Sequence, residues 1–366
     1  MRIALVHDYL NQYGGAERVL EALHDGAPAA PVYTSIYDHA AMPAQYQTWQ
    51  IHTSWMQYLP GWRRFFRHYF MLYPLAFNSF DLSAYDLVIS SSSAYAKGVQ
   101  VRHGAVHICY CHTPMRFVWQ TDAYVARERI QGLTQRVMRF LLQFLRQWDI
   151  QNSRGVTHFI ANSQVVAARI KTYYGREATI IPPPVDLAPI NTQPAGDYLL
   201  TGGRLVPYKR IDLAVQACSA LNIPLVVFGD GRDKAELQRL AGPSIRFVGR
   251  VSDAERQALF NGCRAFLFPG EEDFGIVPVE AQACGTPVVA LARGGAMETV
   301  LPDDTGVLFD TPTAPSLASA LERVAALRFD ADRLRRHAEG FSRGAFDTRM
   351  QYLIADTLAA PVGTRW

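Results

Sequence analysis

Short apolar runs alternate with amphipathic stretches along the first half of the chain. The run over 2–7 is short enough for a buried strand, and a Gly14-Gly15 turn and a helical pattern over 16–24 follow it. Later strand-like runs cover 87–90, 105–111, 158–161 and 178–181, with helical patterns over 134–150 and 164–174. This alternation predicts an α/β fold with a parallel, helix-covered sheet.

The same alternation repeats in the second half of the chain. Its strand-like runs cover 198–203, 225–229, 245–248, 265–268 and 288–290. Prolines at 182–184 and within 189–196 separate the two series, because proline fits neither a helix interior nor a central strand. We therefore predict a first domain over 1–183, a linker over 184–196 and a second domain over 197–339.

Two parallel sheets joined by one linker are expected to face each other across a cleft. Open parallel sheets bind their ligands at the carboxyl ends of the strands, where the glycine turns of this chain lie. We expect the functional residues to collect there.

The composition narrows the class of partner. A formal net charge of +3 is too small to indicate nucleic acid, and an apolar fraction of 49% is that of a globular chain. Basic residues number 17 against 11 acidic residues over 1–180, and 19 against 22 in the rest. The basic excess therefore belongs to the first half.

Five cysteines, an odd number without the paired spacing of a structural zinc site, are typical of a reduced protein. The start of the chain lacks the pattern of a signal peptide, and no run of about 18 apolar residues is present to span a bilayer. We expect a cytoplasmic protein whose membrane contact, if any, is peripheral.

Arginines and aromatic rings interleave at two places, which favours a peripheral contact with the inner membrane. The first place is 62–70. The second is a helical pattern with the basic and apolar members Arg136, Arg139, Arg146, Leu141, Phe144, Leu145 and Trp148. Such segments can lie in a headgroup layer, where arginine meets anionic lipid. The alternative is that the rings pack on the domain core and the arginines face solvent.

The strongest chemical signal is a pair of glutamates, Glu272 and Glu280, that stand eight positions apart on a loop leading into a helix. The backbone N–H groups of Phe274, Gly275 and Ile276 lie between them near the helix amino terminus, which attracts phosphate. Two carboxylates around an amide cradle suit a sugar, a diphosphate and a ribose. The alternative is a solvated loop residue and an ordinary first-turn carboxylate.

A second segment supplies cations to the same predicted domain. Gly203-Arg204 ends its first strand, and Lys209 follows five residues later. Arginine grips a diphosphate in a bidentate manner, and lysine adds a point charge. This segment weakens the alternative reading of the glutamates.

Together these motifs resemble glycosyltransferase family 4, the retaining two-domain enzymes of the GT-B fold. The motifs are the glutamate pair, the Gly-Arg-Leu-x-x-x-Lys segment, 228–231, 247–250 and the Gly14-Gly15 turn. The resemblance covers nearly the whole chain. It implies two Rossmann-like domains, with residues 340–366 crossing back as a helix to the first domain. A helix over 332–358 and a frayed tail over 361–366 are expected.

The resemblance also implies roles for matching residues. Arg204 and Lys209 would stabilise the departing nucleoside diphosphate, Glu272 would contact the donor sugar, and Glu280 would bind the ribose hydroxyls. The groups implied to frame the base or to approach the phosphates closely are Gly15, Gly203, Gly229, Arg250 and Val251. No cofactor and no metal are expected, since the family needs none and the sequence shows no acidic metal triad.

Histidine 112 ends the strand-like run 105–111, at the predicted carboxyl edge of the first sheet. Its family counterpart lies beside the donor sugar, which implies a catalytic role. The alternative is a histidine that only hydrogen-bonds the strand end. His7 and Asp8 end the first strand in the same way and are weaker candidates.

Retention implies front-face attack through a short-lived ion pair, in which the leaving diphosphate takes the acceptor proton and no protein nucleophile is needed. The segment 109–116 resembles bacterial mannosyltransferases of O-antigen or exopolysaccharide synthesis, which implies GDP-mannose and a lipid-linked or oligosaccharide acceptor. UDP-glucose, UDP-galactose and UDP-GlcNAc remain open as donors. Pro182-Pro183-Pro184 departs from the Pro-Asn-Gly of many relatives.

Functions of other classes remain open. They are a non-catalytic sugar-nucleotide-binding protein, an epimerase and a phosphorylase. Turnover that depends on an acceptor would separate a transferase from all three.

Overall fold

The computed structural model describes residues 1–122, 132–187, 196–361 and 363–366, and its packing divides the chain into two compact units. The first unit contains Met1–Pro183 and Phe346–Trp366, and the second contains Pro184–Ala345. Each unit holds one parallel sheet covered by helices, which confirms the predicted α/β fold. The facing of the two sheets across a cleft stays a prediction.

The first unit is built on a seven-stranded sheet with the order β3-β2-β1-β4-β5-β6-β7. Its strands are β1 (Ile3–His7), β2 (Val32–Thr34), β3 (Ile51–Thr53), β4 (Leu87–Ser92), β5 (Val106–Cys111), β6 (His158–Ala161) and β7 (Thr179–Ile180). All neighbouring strands pair in parallel. The chain reverses its direction across the sheet between β1 and β4, so this sheet has a topological switch point there.

Helices pack on both faces of the first sheet. Those of the described part of the chain are α1 (Gly15–Gly26), α2 (Trp62–Phe65), α3 (Tyr73–Asn78), α4 (Arg116–Trp119), α5 (Gly132–Ser153) and α6 (Gln164–Tyr174). Side chains alternate between the faces of β1, so that Leu5 joins one apolar cluster while Ala4 and Val6 join another. The sheet is therefore buried on both sides, as its continuous apolar runs predict.

Strands β2 and β3 are absent from the sequence prediction. Each has three residues, and together they form one edge of the sheet. A run of three residues is too short to show a period of two, so only the pairing of β2 with β1 and of β3 with β2 reveals these strands.

The second unit contains a six-stranded sheet with the order β10-β9-β8-β11-β12-β13. Its strands are β8 (Leu199–Arg204), β9 (Leu225–Asp230), β10 (Ile245–Gly249), β11 (Ala265–Phe268), β12 (Val288–Leu291) and β13 (Gly306–Phe309). The helices that follow α6 are α7 (Ile211–Ala220), α8 (Lys234–Leu240), α9 (Asp253–Gly262), α10 (Ile276–Ala283), α11 (Ala296–Thr299), α12 (Ala314–Ala326), α13 (Ala331–Glu339) and α14 (Arg343–Ala359). The switch point of this sheet lies between β8 and β11. Strand β13 is absent from the sequence prediction.

The carboxyl-terminal helix α14 packs on the first unit, as the resemblance implies. Phe346, Met350 and Leu353 are buried in the same apolar cluster as Tyr110 and Ile181. The single helix expected over 332–358 is wrong, since α13 ends at Glu339 and α14 begins at Arg343. The break allows the two helices to pack on different units.

The frayed tail expected over 361–366 is also wrong for its described residues. The backbone N–H of Trp366 donates to the Thr157 carbonyl at 3.2 Å, and Arg176 donates to the Trp366 carbonyl through Nε and Nη2. The indole ring stacks on His158 with 4.7 Å between ring centroids. Polar and ring contacts thus hold the last residue against the first unit.

The predicted linker over 184–196 lies largely outside the described residues. Val185, at its start, is fully buried in the second unit, and its N–H donates to the Phe341 carbonyl at 2.9 Å. Gly196, at its end, donates to the Gly262 carbonyl at 2.7 Å. Both described ends of this segment are therefore fixed to the second unit.

All five cysteines are buried and unpaired, as the sequence predicts for thiols in a reduced protein. Burial raises the pKa of the Cys218, Cys263 and Cys284 thiols to about 12, so they stay protonated and unreactive at neutral pH. No helix within the described residues is long and apolar enough to cross a bilayer.

A buried histidine makes the stability of the first unit depend on pH. His107 is 1% exposed beside Ser90, and burial lowers its pKa from 6.5 to about 4. Between about pH 6.5 and pH 4, His107 binds a proton in the unfolded chain but not in the folded chain. Acidification to pH 4 therefore destabilises the folded state. We expect His107→Gln to reduce the slope of unfolding free energy against pH by up to about 1.4 kcal/mol per pH unit in this window.

The measurement is urea unfolding followed by tryptophan fluorescence, because all six tryptophans belong to the first unit. His103→Gln, at an exposed position, is the control. An unchanged slope in the His107 variant would contradict the prediction.

Candidate functional site

The predicted donor residues of the second unit meet at the carboxyl edge of its sheet. Arg204 ends β8 and Lys209 follows it, Gly229 lies in β9, Arg250 follows β10, and Glu272 follows β11. Because all strands are parallel, these positions share one edge, and the segments after β8 and β11 flank the switch point. The fold thus collects residues that are up to 68 positions apart in sequence.

The central contact is an ion pair between the segments that follow β8 and β11. Lys209 Nζ lies 2.6 Å from Glu272 Oε1, with side-chain exposures of 11% and 21%. Lys209 belongs to a short 3-10 turn, Pro207–Lys209, which aims its side chain back over the end of β8. A half-buried ion pair of this kind holds a cation and a carboxylate ready at one place.

Glycine is required where β8 and β9 approach each other. Gly229 has φ +104°, and a Cβ atom there would lie 1.8 Å from the Gly203 carbonyl oxygen. Gly203 has φ +115°, and its Cβ position is 3.3 Å from Lys209 Nζ. These two glycines therefore make room for the lysine side chain and leave the backbone open to a ligand.

The loop that carries Glu272 is held by two glycines that the sequence analysis did not single out. Gly295 N–H donates to the Glu272 carbonyl at 2.9 Å, and a Cβ atom on Gly294 would lie 2.2 Å from the same oxygen. A Cβ atom on Gly295 would lie 2.1 Å from the Phe274 carbonyl oxygen. The sequence does show a Gly-Gly pair after β12, but only the fold shows that this pair contacts the backbone of the Glu272 loop.

The amide cradle predicted from the sequence would lie at the amino terminus of α10. Gly275 is in the left-handed region with φ +84° and precedes Ile276, the first residue of the helix. The Phe274 side chain is 4% exposed and packs on Phe341 at 5.6 Å between ring centroids. Phe274 can therefore serve a ligand only through its backbone, as the sequence analysis assumed.

Glu280 is more deeply buried than Glu272. It is 7% exposed on α10, and Arg256 Nη2 donates to its Oε1 at 3.2 Å. Arg256 comes from α9 and also pairs with Asp253 at 2.9 Å. Sequence reasoning missed Arg256, since one arginine in an amphipathic helix carries no distinct signal.

The remaining predicted donor residues are open to solvent. Arg204 is exposed, with its Nη2 donating to Tyr208 Oη at 3.2 Å. The Arg250 side chain is 85% exposed, 3.5 Å from Asp230 Oδ2, and Val251 is partly buried against the apolar cluster of the unit. Exposed guanidinium groups can reorient towards an anionic ligand.

In the first unit, the carboxyl ends of β1, β4 and β5 bring His7, Ser91 and His112 together. Ser91 Oγ lies 3.1 Å from His7 Nδ1 and 2.8 Å from His112 Nε2. Gly15 is exposed at the amino terminus of α1, which follows β1. His112 is thus tied to a polar network rather than only to its own strand end.

Asp8 has a structural role. Its two carboxylate oxygens accept backbone N–H groups over 93–96 at 2.6 to 3.0 Å. These four hydrogen bonds fix the loop that follows β4 and stabilise the carboxylate of Asp8.

Most rings of the two basic aromatic segments pack on the core, which differs from the membrane contact predicted from the sequence. Arg146 donates to the Val118 carbonyl at 2.8 Å and lies over the Trp119 ring, while Leu145 and Trp148 belong to the core cluster. In the segment 62–70, several rings pack on the same cluster, namely Trp62, Phe66, Tyr69 and Phe70. Packing on the core, the alternative reading, therefore describes most of these rings.

A different apolar stripe faces solvent on α5. Its members are Leu133, Val137, Phe140 and Phe144, and their exposures are 75%, 51%, 71% and 58% in that order. Their spacing places them on one side of the helix, while Leu142 and Leu145 are buried on the other side. Phe144 is the one member of this stripe that the sequence analysis named.

The arrangement in the second unit suits a phosphorylated ligand. Lys209 and Arg204 supply positive charge, α10 supplies N–H groups, and Glu272 and Glu280 supply acceptors for hydroxyl groups. Within the described residues, no group of three or more histidine, cysteine or acidic side chains is placed to hold a metal ion.

Two family models match consecutive parts of the chain. The model described as Glycosyltransferase Family 4 matches residues 13–189, and the model described as Glycosyl transferases group 1 matches residues 188–341. The junction of the two matches falls close to the boundary between the two units at Pro183 and Pro184.

Curated relatives match parts of the chain. A D-inositol 3-phosphate glycosyltransferase of Pseudarthrobacter chlorophenolicus is 30% identical over 237 residues, which are 55% of this chain and 56% of the relative. A GDP-mannose-dependent alpha-mannosyltransferase of Mycolicibacterium smegmatis is 36% identical over 109 residues, 30% of this chain and 29% of the relative. The match thus spans about half the length of the first of these relatives and less of the second.

Among solved structures, the chain is similar to Alr3699/HepE of Anabaena in complex with UDP. The TM-score is 0.72 at 18% sequence identity, over 97% of this chain and 100% of the other. This likeness shows a common fold over nearly the whole length.

Proposed function

This chain belongs to glycosyltransferase family 4 and has its GT-B fold, and from that premise we propose that it is a retaining hexosyltransferase that uses a nucleotide sugar. The observation that carries the proposal is the Lys209–Glu272 ion pair at the switch point of the second sheet. A diphosphate that enters there meets a cation already held in place by a carboxylate suited to a sugar hydroxyl.

The proposed reaction breaks the bond between the sugar C1 and the diphosphate oxygen and forms a bond from C1 to the acceptor oxygen on the same face. The acceptor proton passes to the leaving diphosphate, so the protein supplies position and charge. Lys209 and Arg204 stabilise the diphosphate, Glu272 contacts the sugar, and Glu280 binds the ribose. Arg256 orients the Glu280 carboxylate for this contact. The role proposed for His112 of the first unit is the sugar contact that the family resemblance implies.

Gly203 and Gly229 leave the backbone at the end of the sheet open to the nucleotide. Arg250 and Val251 frame the base, and Gly15 gives the phosphates close access to the amino terminus of α1. No metal is needed in this proposal, because the cationic side chains carry the charge of the leaving group.

GDP-mannose is the donor that we favour. The support is the resemblance of 109–116 to mannosyltransferases and the similarity to a relative named as GDP-mannose-dependent. A UDP-sugar is the second candidate, because a structure of the same fold is described in complex with UDP. Both donors share the diphosphate and ribose, so the same residues would serve either.

Calorimetric titration with GDP, UDP and their sugars, without added metal, tests the donor proposal. We expect GDP to bind more tightly than UDP, and Glu280→Ala to weaken GDP binding by about tenfold to a hundredfold, since a buried acceptor for the ribose hydroxyls is lost. In this variant the Arg256 guanidinium loses its contact with Glu280 and keeps its ion pair with Asp253.

Glu322→Ala, a change on the remote helix α12, is the matched control and should leave affinity unchanged. Tighter UDP binding would overturn the donor and keep the class of reaction. No binding of any nucleotide would overturn the enzyme itself in favour of another function.

The proposed acceptor is a saccharide on a lipid carrier, at an anionic membrane surface. The support is the exposed stripe of α5 together with Arg136 and Arg139, which are exposed on the same helix. Rings on one side and arginines beside them match the acyl boundary and the headgroups of an anionic bilayer. An exposed apolar stripe of this length needs a partner in solution or on a surface.

Vesicle co-sedimentation tests this contact. We expect binding to vesicles with anionic lipid and little binding to neutral ones. The double variant Phe140→Ser with Phe144→Ser should lower the partition coefficient by about a hundredfold, and Arg136→Gln by about fivefold.

Tyr352→Ser, at a position 78% exposed on α14, is the control for the loss of an exposed ring. Light scattering of the same variants detects the other occupant, a second copy of the chain. A dimer that the double variant dissociates, without vesicle binding, would contradict the membrane proposal.

A further inference from the structure

Four side chains of the first unit form one hydrogen-bonded row that ends at His112. Glu17 Oε1 lies 3.4 Å from His7 Nε2, His7 Nδ1 lies 3.1 Å from Ser91 Oγ, and Ser91 Oγ lies 2.8 Å from His112 Nε2. Glu17, His7 and Ser91 are at most 3% exposed. The row therefore runs from a buried carboxylate to the one member that is partly open at the edge of the sheet.

The sheet register places the row on one face. His7 pairs with Ser91 across β1 and β4, and Ser91 pairs with Tyr110 across β4 and β5. Because side chains alternate along a strand, His112 points to the same face as Tyr110, two residues earlier. Glu17 reaches this face from the first turn of α1.

The chemistry of the four groups gives the row a direction. An ionised carboxylate only accepts, so His7 Nε2 must donate to Glu17. When the His7 ring carries only this proton, its Nδ1 atom accepts the hydroxyl proton of Ser91, and Ser91 Oγ accepts from His112 Nε2. Each hydrogen bond of the row then has one donor and one acceptor, and the Glu17 carboxylate, which can only accept, sets their direction.

His112 is neutral in this setting. Burial lowers the pKa of His112 to about 3, so at neutral pH one ring nitrogen carries a proton and the other does not. Which nitrogen carries it decides whether Nδ1, the ring nitrogen outside the row, donates or accepts a hydrogen bond.

We propose that Glu17, His7 and Ser91 are positioning residues that fix His112 as the tautomer with its proton on Nε2, which leaves Nδ1 as an acceptor for a sugar hydroxyl. The contact with the sugar rests on the proposed function. The tautomer does not, since it follows from the row when the His7 ring carries its one proton on Nε2. The site therefore selects a donor that presents a hydroxyl group to Nδ1.

Long-range ¹H–¹⁵N correlation spectra of the histidine rings read the tautomer directly. The chain has ten histidines, and the His112→Gln variant assigns the signals of His112. We expect the intact protein to show His112 with a protonated Nε2 and a bare Nδ1. Ser91→Ala should produce a mixture of tautomers, and Ser91→Thr, which keeps the hydroxyl, should restore one.

Glu17→Gln is a sharper variant, because an amide can donate to His7 Nε2 as well as accept from it. We expect it to allow the reversed row, in which His7 Nδ1 donates to Ser91 and the His112 proton moves to Nδ1. A loss of packing alone would not transfer this proton.

The neighbouring strand residue Ser90 gives a matched control. Its hydroxyl lies 2.9 Å from Nε2 of His107, and β4 alternation places this pair on the opposite face of the sheet. Ser90→Ala should alter the His107 signals and leave those of His112 unchanged. A change in both histidines would indicate a general disturbance of the sheet.

Two results would overturn the proposal: a proton on Nδ1 of His112 in the intact protein, or an unchanged tautomer in Ser91→Ala. For transfer, Ser91→Ala should lower kcat by roughly fivefold to tenfold while GDP affinity stays constant, since GDP lacks the sugar. If the spectra agree and no transfer is detected, the proposed function fails and the row stands.

Discussion

Replacing Lys209 by methionine is expected to lower kcat by about 10² to 10³-fold while the protein stays folded. The ammonium lies 2.6 Å from Glu272 and next to Gly203, where the proposed leaving diphosphate gains charge. A preorganised cation at such a place contributes mostly in the transition state, and removing one such group costs this order of rate. Methionine keeps an unbranched side chain, one atom shorter than that of lysine, and removes the charge and its hydrogen-bond donors.

The measurement is sugar transfer from the donor that calorimetry selects, with kcat and KM determined separately. Lys171→Met, at an exposed lysine paired with Glu177 near the end of α6, is the control. Glu272→Gln should also reduce kcat, because it loosens Lys209 and weakens the sugar contact. A rise in KM at constant kcat would contradict the assignment, since it would mean uniform binding of donor and transition state.

The second large effect concerns stability. We expect Lys97→Met to lower the free energy of unfolding of the first unit by about 3 to 5 kcal/mol, because it leaves the charge of Asp149 buried without its partner. Lys97 is 1% exposed and Asp149 is fully buried, and the two form an ion pair. Trp119 Nε1 and Tyr174 Oη each donate to Asp149 Oδ2 at 2.7 Å.

The charge of this pair is retained in the folded protein. Burial lowers the pKa of the Lys97 ammonium, and the adjacent Asp149 carboxylate raises it, with a net value above the ordinary one. The ammonium also donates to the Ala94 carbonyl at 2.7 Å. Breaking one side of such a pair costs far more than losing an exposed pair.

Urea unfolding followed by tryptophan fluorescence measures this loss in the first unit. The double variant Lys97→Met with Asp149→Asn removes both charges and keeps an acceptor for Trp119 and Tyr174. It should recover more than half of the lost stability. A double variant less stable than Lys97→Met would contradict the electrostatic explanation and indicate that volume and shape dominate.

Much of the fold follows from local patterns. The central strands of both sheets are continuous apolar runs, and the helix 164–174 was predicted with the bounds that α6 has in the structure. Serine at position 163 caps that helix by accepting from Val166 N–H at 3.3 Å. The short strands β2, β3 and β13, which lie at or next to the sheet edges, were missed, because such strands owe their existence to pairing rather than to pattern.

Some residues of the candidate site could likewise be predicted from the sequence, and others only from the structure. The residue types at 204, 209, 272 and 280 indicate phosphate and sugar chemistry from the sequence, since their charge and spacing are local properties. Arg256 beside Glu280 and Gly294-Gly295 beneath the Glu272 loop were invisible, because each acts on a residue that is distant along the chain. Their contribution exists only once the sheet has assembled.

The membrane segment shows the limit of periodicity most clearly. Period and composition alone identify α5 as an amphipathic, arginine-bearing helix, but they do not say which apolar side faces the core. The structure buries Leu145 and packs Trp148 on the core, leaving Phe140 and Phe144 exposed. The contacts of the helix with the rest of the first unit decide this choice.

The sequence by itself determined the two parallel-sheet domains, the charge at the end of β8 and the glutamate pair. Strand length, helix period and residue chemistry depend only on residues that are close together in the chain. Only the tertiary structure decided that Lys209 meets Glu272 and that Glu17, His7 and Ser91 stand in one row that ends at His112. Strand order and register bring these groups together, and both depend on contacts between residues far apart in the chain.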